Sequence, residues 1–349
     1  MIPEGPAIPV VTTPTHRHHD PPYELNAGQH LSPVYERPER VDAILSGLPT
    51  AERHPARDHP DEPLLAVHDA GLVRFLRDGY DAWRRAGGPE VMLPDTFRSP
   101  RWAGGGRPTT SALGSVGWWC FDTATPIVAG SFEAARAAVD VALTAADLVA
   151  DGVPLAYALT RPPGHHAGAD YFGGFCLLNH AAIVARHLQA GGRVAILDID
   201  VHHGNGTQDV FWRDSGVLYA SLHADPNTTF PYFSGFAEEV GEGPGRGTTR
   251  NVALAPGTGD TSYLAALEAT LDEIVAFDPV ALVVSLGLDA STHDPIGPLD
   301  LTVEGFSAIG ARIAELTRPT VVVQEGGYAL NHLGELAAAV LGGMARGRR

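Results

Sequence analysis

Five short apolar runs, at 154–159, 194–199, 217–222, 280–286 and 320–323, pass with almost no polar residue in alternation. A strand with one solvated face alternates apolar and polar side chains, so a run without alternation is buried on both faces. Helix-periodic stretches separate several of these runs, over 179–190, 260–276 and 303–316. Another helix is expected from Ser131, an N-cap residue type, with Phe132, Ala135, Val139, Leu143 and Ala146 at helical spacing and Gly152 as its stop. Buried strands alternating with helices specify an α/β fold with a mostly parallel central sheet flanked by helices.

One such domain is expected to take in residues 1–349, with 1–22 as an extended N-terminal arm. Residues 1–60 are rich in Pro and His and read mostly as loop, with a short helix over 38–48. His16, His18 and His19 lie in that arm and are read as solvated despite their metal-like spacing. Residues 91–130 form a second long loop region, which includes Trp118 and Trp119. Loops of this length in a compact domain are usually functional or disordered.

Composition removes whole classes of function. The net charge is −17, from 41 acidic and 24 basic residues, which argues against a nucleic-acid partner and favours a cationic substrate. All the basic residues are arginines. Without lysine there is neither Schiff-base chemistry nor a P-loop NTPase. Cys120 and Cys176 are too few for a disulfide framework or a cysteine-rich zinc site. The start, MIPEGPAIPVV, has no signal-peptide pattern, and no apolar run is long enough to span a membrane. A cytoplasmic protein is expected.

Reactive residues cluster just after the apolar runs, where open α/β sheets gather their ligands. The richest segment is ILDIDVHHGNG at 196–206. Residues two apart on a strand share a face, so Asp198, Asp200 and His202 are expected to point the same way. Two carboxylates there need a cation or buried donors. Carboxylate oxygen with imidazole nitrogen suits Zn²⁺, Fe²⁺ or Mn²⁺, and Asp289, beyond the 280–286 run, is the natural third ligand. RPPGHHA at 161–167 sets His165 and His166 on a rigid turn, each a possible base near neutral pH. In QEGGY at 324–328, glycines permit a close backbone approach and Tyr328 can donate to a developing oxyanion.

Together these motifs resemble the arginase–deacetylase superfamily, in particular its acetylpolyamine amidohydrolase and class II histone deacetylase branch. RPPGHHAG (161–168), GGFCLLNHAA (173–182), ILDIDVHHGNGTQDVFW (196–212), SLHADP (221–226), VVSLGLDA (283–290) and QEGGY (324–328) match in order, and the likeness runs from about residue 25 onward. RPERVDAI (37–44) is similar to the family's N-terminal arginine segment, and FPYFSGFAEEVGEGPGRGTT (230–249) looks most like the acetylpolyamine amidohydrolases.

The resemblance implies one Zn²⁺, with Fe²⁺ as an alternative, on Asp200, His202 and Asp289. It implies His165 and His166 as the catalytic pair, Tyr328 as the oxyanion donor, and Phe175 and Phe230 as walls of the acyl channel. Gly174 would accept the substrate amide N–H through its carbonyl. Asp198 would partner His165, and Asn205 would partner His166. A structural K⁺ is implied at Asp198, Asp200, His202, Ser221 and Leu222, and a second monovalent cation at Phe211, Asp214, Val217 and Thr248. The chain departs from the polyamine-binding acids of the family at Leu113 and Ala124, with Asp122 and Glu90 the nearby acids.

The expected reaction is removal of an acetyl or short acyl group from a small amine such as an acetylpolyamine, by metal-activated water with a histidine general base. The alternative is a protein lysine deacetylase of the same chemistry. A two-metal ureohydrolase uses a differently spaced Asp/His set, and a sensor lacking catalysis would have lost a ligand or the tyrosine. Segments 23–36 and 91–120 resemble insertions that narrow the entrance across a dimer interface, with Trp118 and Trp119 as interface residues, so a homodimer is expected.

Overall fold

The computed structural model describes residues 8–26 and 28–347. The strands, in chain order, are β1 (Pro9–Thr12), β2 (Glu24–Asn26), β3 (Gln29–Leu31), β4 (Glu52–Pro55), β5 (Leu155–Ala158), β6 (Val194–Asp198), β7 (Val217–Ala224), β8 (Thr249–Leu254), β9 (Ala281–Leu286) and β10 (Thr320–Gln324). Eight of them form one sheet in the order β4-β1-β5-β10-β9-β6-β7-β8, and β2 and β3 make a separate hairpin. Every pairing in the large sheet is parallel. This is the α/β fold that the unbroken apolar runs imply.

All residues of β5, β6, β7, β9 and β10 are buried, and their alternate side chains feed two separate cores. Val194, Ile196, Val321 and Val323 join helices Ala70–Arg85, Ser131–Ala150 and His180–Leu188 on one face. Ala195, Leu197 and Val322 join helices Glu39–Ser46, Asp260–Phe277, Val303–Glu315 and Leu333–Gly347 on the other. Burying both faces at about 25 cal/mol per Å² of apolar surface makes these strands the rigid frame of the molecule. No helix among the described residues is long and apolar enough to cross a membrane.

Register places the chemistry. Asp198 stands opposite Ser285, Gln324 opposite Leu286, and Val323 opposite Ala158. The neighbouring strands β5, β10, β9 and β6 therefore end at one height. The loops that follow them carry Arg161–Pro162–Pro163–Gly164–His165–His166, Glu325 to Tyr328, Asp289, and Asp200 with His202.

The structure corrects part of the reading of the N-terminal segment; residues 1–7 of the expected arm lie outside the described residues. β1 pairs on both sides, with β4 and β5, so it is an interior strand. His16 and His19 are buried, not solvated, while His18 is exposed. His19 Nδ1 lies 2.8 Å from Ser131 Oγ, and burial with the nearby Arg161 charge lowers both His16 and His19 to about 4. Both rings are therefore held neutral. Ser131 is the first residue of its helix, not the cap: Gly130 caps it at φ +84°, and Ser131 Oγ accepts from Val128 N–H instead. A Cβ at residue 130 would also sit 2.8 Å from His18 Cβ, which leaves glycine as the fitting residue.

Candidate active site

The loop after β5 is pinned by one buried carboxylate. Glu325 Oε2 accepts from Gly164 N–H at 2.7 Å and His165 N–H at 3.1 Å. Both imidazoles then meet their partners. His165 Nδ1 is 3.1 Å from Asp198 Oδ2, and its Nε2 is 3.7 Å from Asp200 Oδ1. His166 Nδ1 is 2.8 Å from Asn205 Oδ1. The two ring centroids are 4.1 Å apart, yet their charges diverge. Burial works against the cation in both. For His165 the Asp200 and Asp198 carboxylates outweigh burial and push it up to about 10. For His166 burial wins, helped by the charges of His165 and His202, and holds it well below the ordinary imidazole range.

Asp200 and His202 do not reach the site by strand alternation, because β6 ends at Asp198. A chain of backbone amides turns them instead. Asp200 N–H donates to Asp198 Oδ1 (3.1 Å), His202 N–H to Asp200 Oδ1 (2.9 Å), and Val201 N–H to Asp289 Oδ1 (3.0 Å). Gly326 N–H donates to Asp200 Oδ2 at 2.8 Å. His202 Nδ1 lies 3.2 Å from Asp200 Oδ1 and 3.4 Å from Asp289 Oδ2. One donor atom from each of Asp200, His202 and Asp289 lies within 4.8 Å of the others, and all three residues are buried.

Burial and the Asp200 charge raise Asp289, whereas His165 and His202 overcome burial to hold Asp200 low. Among the described residues Asp289 Oδ2 makes no hydrogen bond, although it is buried; its nearest cationic neighbour is His202 Nδ1 at 3.4 Å. A buried carboxylate oxygen without a donor is costly, and a cation among these three groups would remove that cost.

Of these three, His202 reaches a cavity of about 370 Å³ that is also lined by His165, His166, Phe175, Phe230 and Tyr328, among others. Phe230 packs edge-on to His166, centroids 5.0 Å apart, and Phe175 edge-on to Tyr328 at 5.6 Å. Gly174 and Phe175 both adopt left-handed backbone, φ +58° and +65°. At residue 174 a Cβ would come within 2.3 Å of His166 Cδ2, so that wall admits only glycine. Phe175 pays about 1–3 kcal/mol for a rare conformation that the surroundings must enforce. Thr125 Oγ1 accepts its N–H at 2.9 Å, and Asp122 Oδ2 accepts the N–H of Gly174.

Tyr328 is similarly held. Its N–H donates to Asp294 Oδ2 at 2.7 Å, and the Arg40 guanidinium lies over its ring at 4.8 Å. Arg40 also donates to the carbonyls of Gly327 and Glu325, both at 2.6 Å, and to Glu36 at 2.8 Å. Sequence reading missed the supporting parts played by Asp294, Thr125 and Glu36. Asp294 precedes a proline in a loop, which was the one available signal; the others act across long separations.

Ser221 sits on β7 opposite Asp198, its Oγ 2.8 Å from His223 Nδ1, and Leu222 follows it. Phe211, Asp214 and Thr248 also meet: Asp214 N–H donates to the Phe211 carbonyl and Thr248 Oγ1 to the Asp214 carbonyl, each at 3.0 Å. Val217 opens β7 nearby. Asp122 and Ala124 line the cavity; Glu90 does not, and Leu113 is exposed. Trp119 packs against Phe75 of the same chain and Trp118 lies beneath Arg98, so the most exposed aromatics are Trp102, Tyr232 and Phe233 rather than that pair.

The histone deacetylase domain model matches residues 34–344. Acetylpolyamine amidohydrolase 1 of Pseudomonas aeruginosa is 42% identical over 94% of this chain and 96% of its own length. An acetylpolyamine amidohydrolase of Mycoplana ramosa is 41% identical over 96% of this chain and 99% of its own. The crystal structure of an acetylpolyamine aminohydrolase from Burkholderia pseudomallei superposes with a TM-score of 0.91 at 35% identity, covering 97% of this chain and 98% of that one. With fold, motif order and near full-length similarity in agreement, the chain belongs to the histone deacetylase family of the arginase–deacetylase superfamily.

Proposed function

We propose that this protein is a zinc-dependent amidohydrolase that removes acetyl or short acyl groups from small amines. The observation that carries the reading is the buried Asp200–His202–Asp289 set, in which Asp289 Oδ2 makes no hydrogen bond among the described residues, beside a cavity that His202, the His165–His166 pair and Tyr328 line. Two carboxylates and one imidazole fit Zn²⁺ with positions left open. Held there, zinc would supply Lewis acidity, for polarising a carbonyl and lowering the pKa of a water.

The chain's own residues supply the rest. His166, neutral and engaged at Nδ1 by Asn205, keeps Nε2 for the cavity. It takes the proton of the attacking water and returns it to the leaving amine, so that one residue acts as base and then acid. His165, cationic beside Asp198, stabilises developing negative charge. The Tyr328 hydroxyl donates to the carbonyl oxygen as charge gathers there. Burial, against the opposing Arg40 charge, raises it well above the ordinary phenol range, so it keeps its proton. Phe175 and Phe230 hold the acyl-bearing arm, and the Gly174 carbonyl accepts the amide N–H.

Tyr328→Phe is expected to lower kcat by about 10²–10³, as for loss of an oxyanion donor, with unchanged metal content. An effect below tenfold in a steady-state assay removes that role. Structural K⁺ belongs to the same reading, at Asp198, Asp200, His202, Ser221 and Leu222 and at Phe211, Asp214, Val217 and Thr248; what supports it is that Ser221 pairs with Asp198 across β6 and β7 and that Thr248 Oγ1 donates to the Asp214 carbonyl. A homodimer is proposed as well, supported by the exposed Tyr232 and Phe233 close to the cavity.

The names of the relatives and the net charge of −17 favour small cationic amines. The kcat/KM for acetylputrescine is expected to exceed that for an acetyl-lysine peptide at least tenfold. This ratio measures differential transition-state binding, and a tenfold preference for the peptide would move the protein to the lysine-deacetylase side.

A further inference from the structure

Behind His166 runs a chain of hydrogen bonds that the reaction does not itself use. Asn205 Oδ1 meets His166 Nδ1 at 2.8 Å. On its other side Asn205 Nδ2 donates to Tyr171 Oη at 3.2 Å and to the His166 carbonyl at 3.5 Å. The Tyr171 hydroxyl has two acceptors within reach: Asp209 Oδ2 at 2.5 Å and the Asn205 backbone carbonyl at 3.3 Å. Its hydrogen is retained, because burial and the Asp209 charge raise the phenol well above its ordinary range. Among the described residues Tyr171 does not line the main cavity.

The polarity of this chain follows from donor and acceptor inventory. A carboxylate and a carbonyl only accept, so the single Tyr171 O–H is spent on one of them. Tyr171 Oη can then only accept from Asn205, which must turn its NH₂ toward the tyrosine. The amide oxygen is thereby directed at His166, where it can only accept. His166 must carry its neutral proton on Nδ1, and the lone pair is left on Nε2. A reversed amide would present NH₂ to Nδ1, shift the proton to Nε2 and leave the cavity side without a base.

An aspartate in place of Asn205 would accept at both oxygens and need no such control. The asparagine makes its orientation matter. We propose that Tyr171 is a positioning residue for His166: it fixes the orientation of the Asn205 amide and so the tautomer of the base, with Asp209 as the terminal acceptor. This inference rests on His166 being the proton acceptor of the reaction.

Tyr171→Phe removes one hydroxyl and keeps the ring, whose edge-on packing against Phe121 (centroids 5.7 Å apart) preserves the local fold. In the zinc-loaded full chain with acetylputrescine, kcat is expected to fall about tenfold, well inside the 10⁴ known for a fully wrong tautomer. KM should stay within about twofold and metal content unchanged, because the tyrosine touches neither ligand nor substrate. Histidine-selective ¹⁵N spectra, with the His166 signals assigned by their loss in His166→Ala, should show Nδ1–H in the parent chain and a second tautomer in Tyr171→Phe. Asp209→Asn, which leaves the Asn205 carbonyl as acceptor, should cost less than Tyr171→Phe.

A kcat within twofold of the parent, an unchanged tautomer, or a larger loss in Asp209→Asn than in Tyr171→Phe overturns the assignment. If His166→Ala is inactive while Tyr171→Phe is unimpaired, only this inference fails. If His166→Ala stays active, the general-base reading fails first and takes the inference with it.

Discussion

His166→Ala is expected to lower kcat by about 10²–10⁴ while the protein keeps its metal, since a positioned general base contributes roughly that range. The split between activity and metal content follows from geometry. Among the described residues the only side-chain hydrogen-bond partner of the His166 ring is Asn205, and the three-residue donor set is built without it. The ring is neutral, so its removal leaves no uncompensated buried charge. Its Nδ1 is occupied by Asn205, which leaves Nε2 as the remaining nitrogen of a ring that lines the cavity. His165→Ala differs in kind, because it removes a cation from between two carboxylates and should disturb Asp198 and Asp200 as well. Steady-state kinetics with parallel elemental analysis check the prediction. A loss under tenfold in His166→Ala means that another group moves the proton.

Replacing Asp289 should have the opposite profile, with metal lost first and activity as a consequence. Asp289→Asn is the cleaner variant. It keeps volume and a carbonyl-type oxygen for Val201 N–H, now 3.0 Å from Oδ1, and removes only the charge. Metal affinity is expected to drop by more than the roughly 10–100-fold seen when mere outer partners of metal ligands are changed. Asp289→Ala should lose metal at least as severely and also orphan the Val201 amide. Without the carboxylate, Asp200 and His202 pair with each other at 3.2 Å and offer an ion only two ligands. Metal stoichiometry equal to the parent in both variants would remove Asp289 from the ligand set.

Much of this arrangement was legible in the sequence because it depends on local pattern. β5, β6, β7, β9 and β10 appear as apolar runs since both of their faces are covered. His165, His166, Asp200, His202, Asp289 and Tyr328 follow those runs, and a parallel sheet brings its carboxyl ends together. What escaped was set by distant partners. β1 is four residues in a proline-rich segment and becomes interior only through pairing with β4 and β5. β4, with the sequence ERHP, is mostly exposed at the sheet edge and has no apolar pattern to read. His16 and His19 are buried by contacts formed far along the chain, His19 against Ser131.

The convergence of Asp198, Asp200 and His202 was expected from strand alternation but arises after the strand has ended. Amides of the loop bind the preceding carboxylates, a cause that period-two reasoning cannot register. The same holds for Asp122 and Thr125, which grip the amides of Gly174 and Phe175 some 50 residues away. Asp122 is one of the two acids near the positions where the family carries polyamine-binding acids. Its carboxylate lines the cavity, but three backbone N–H groups, of Ala124, Thr125 and Gly174, already bind it. Its first effect is therefore on the shape of the channel.

The central claim is that one divalent ion, held by Asp200, His202 and Asp289, is required for cleavage of an acetylated amine. The most direct measurement is acetate release from acetylputrescine by chelator-stripped protein as Zn²⁺ is titrated back. The account predicts negligible release from the stripped protein, recovery that saturates at one ion per chain, and no recovery in Asp289→Asn at the same zinc concentration. Full activity after verified removal of the metal would contradict it.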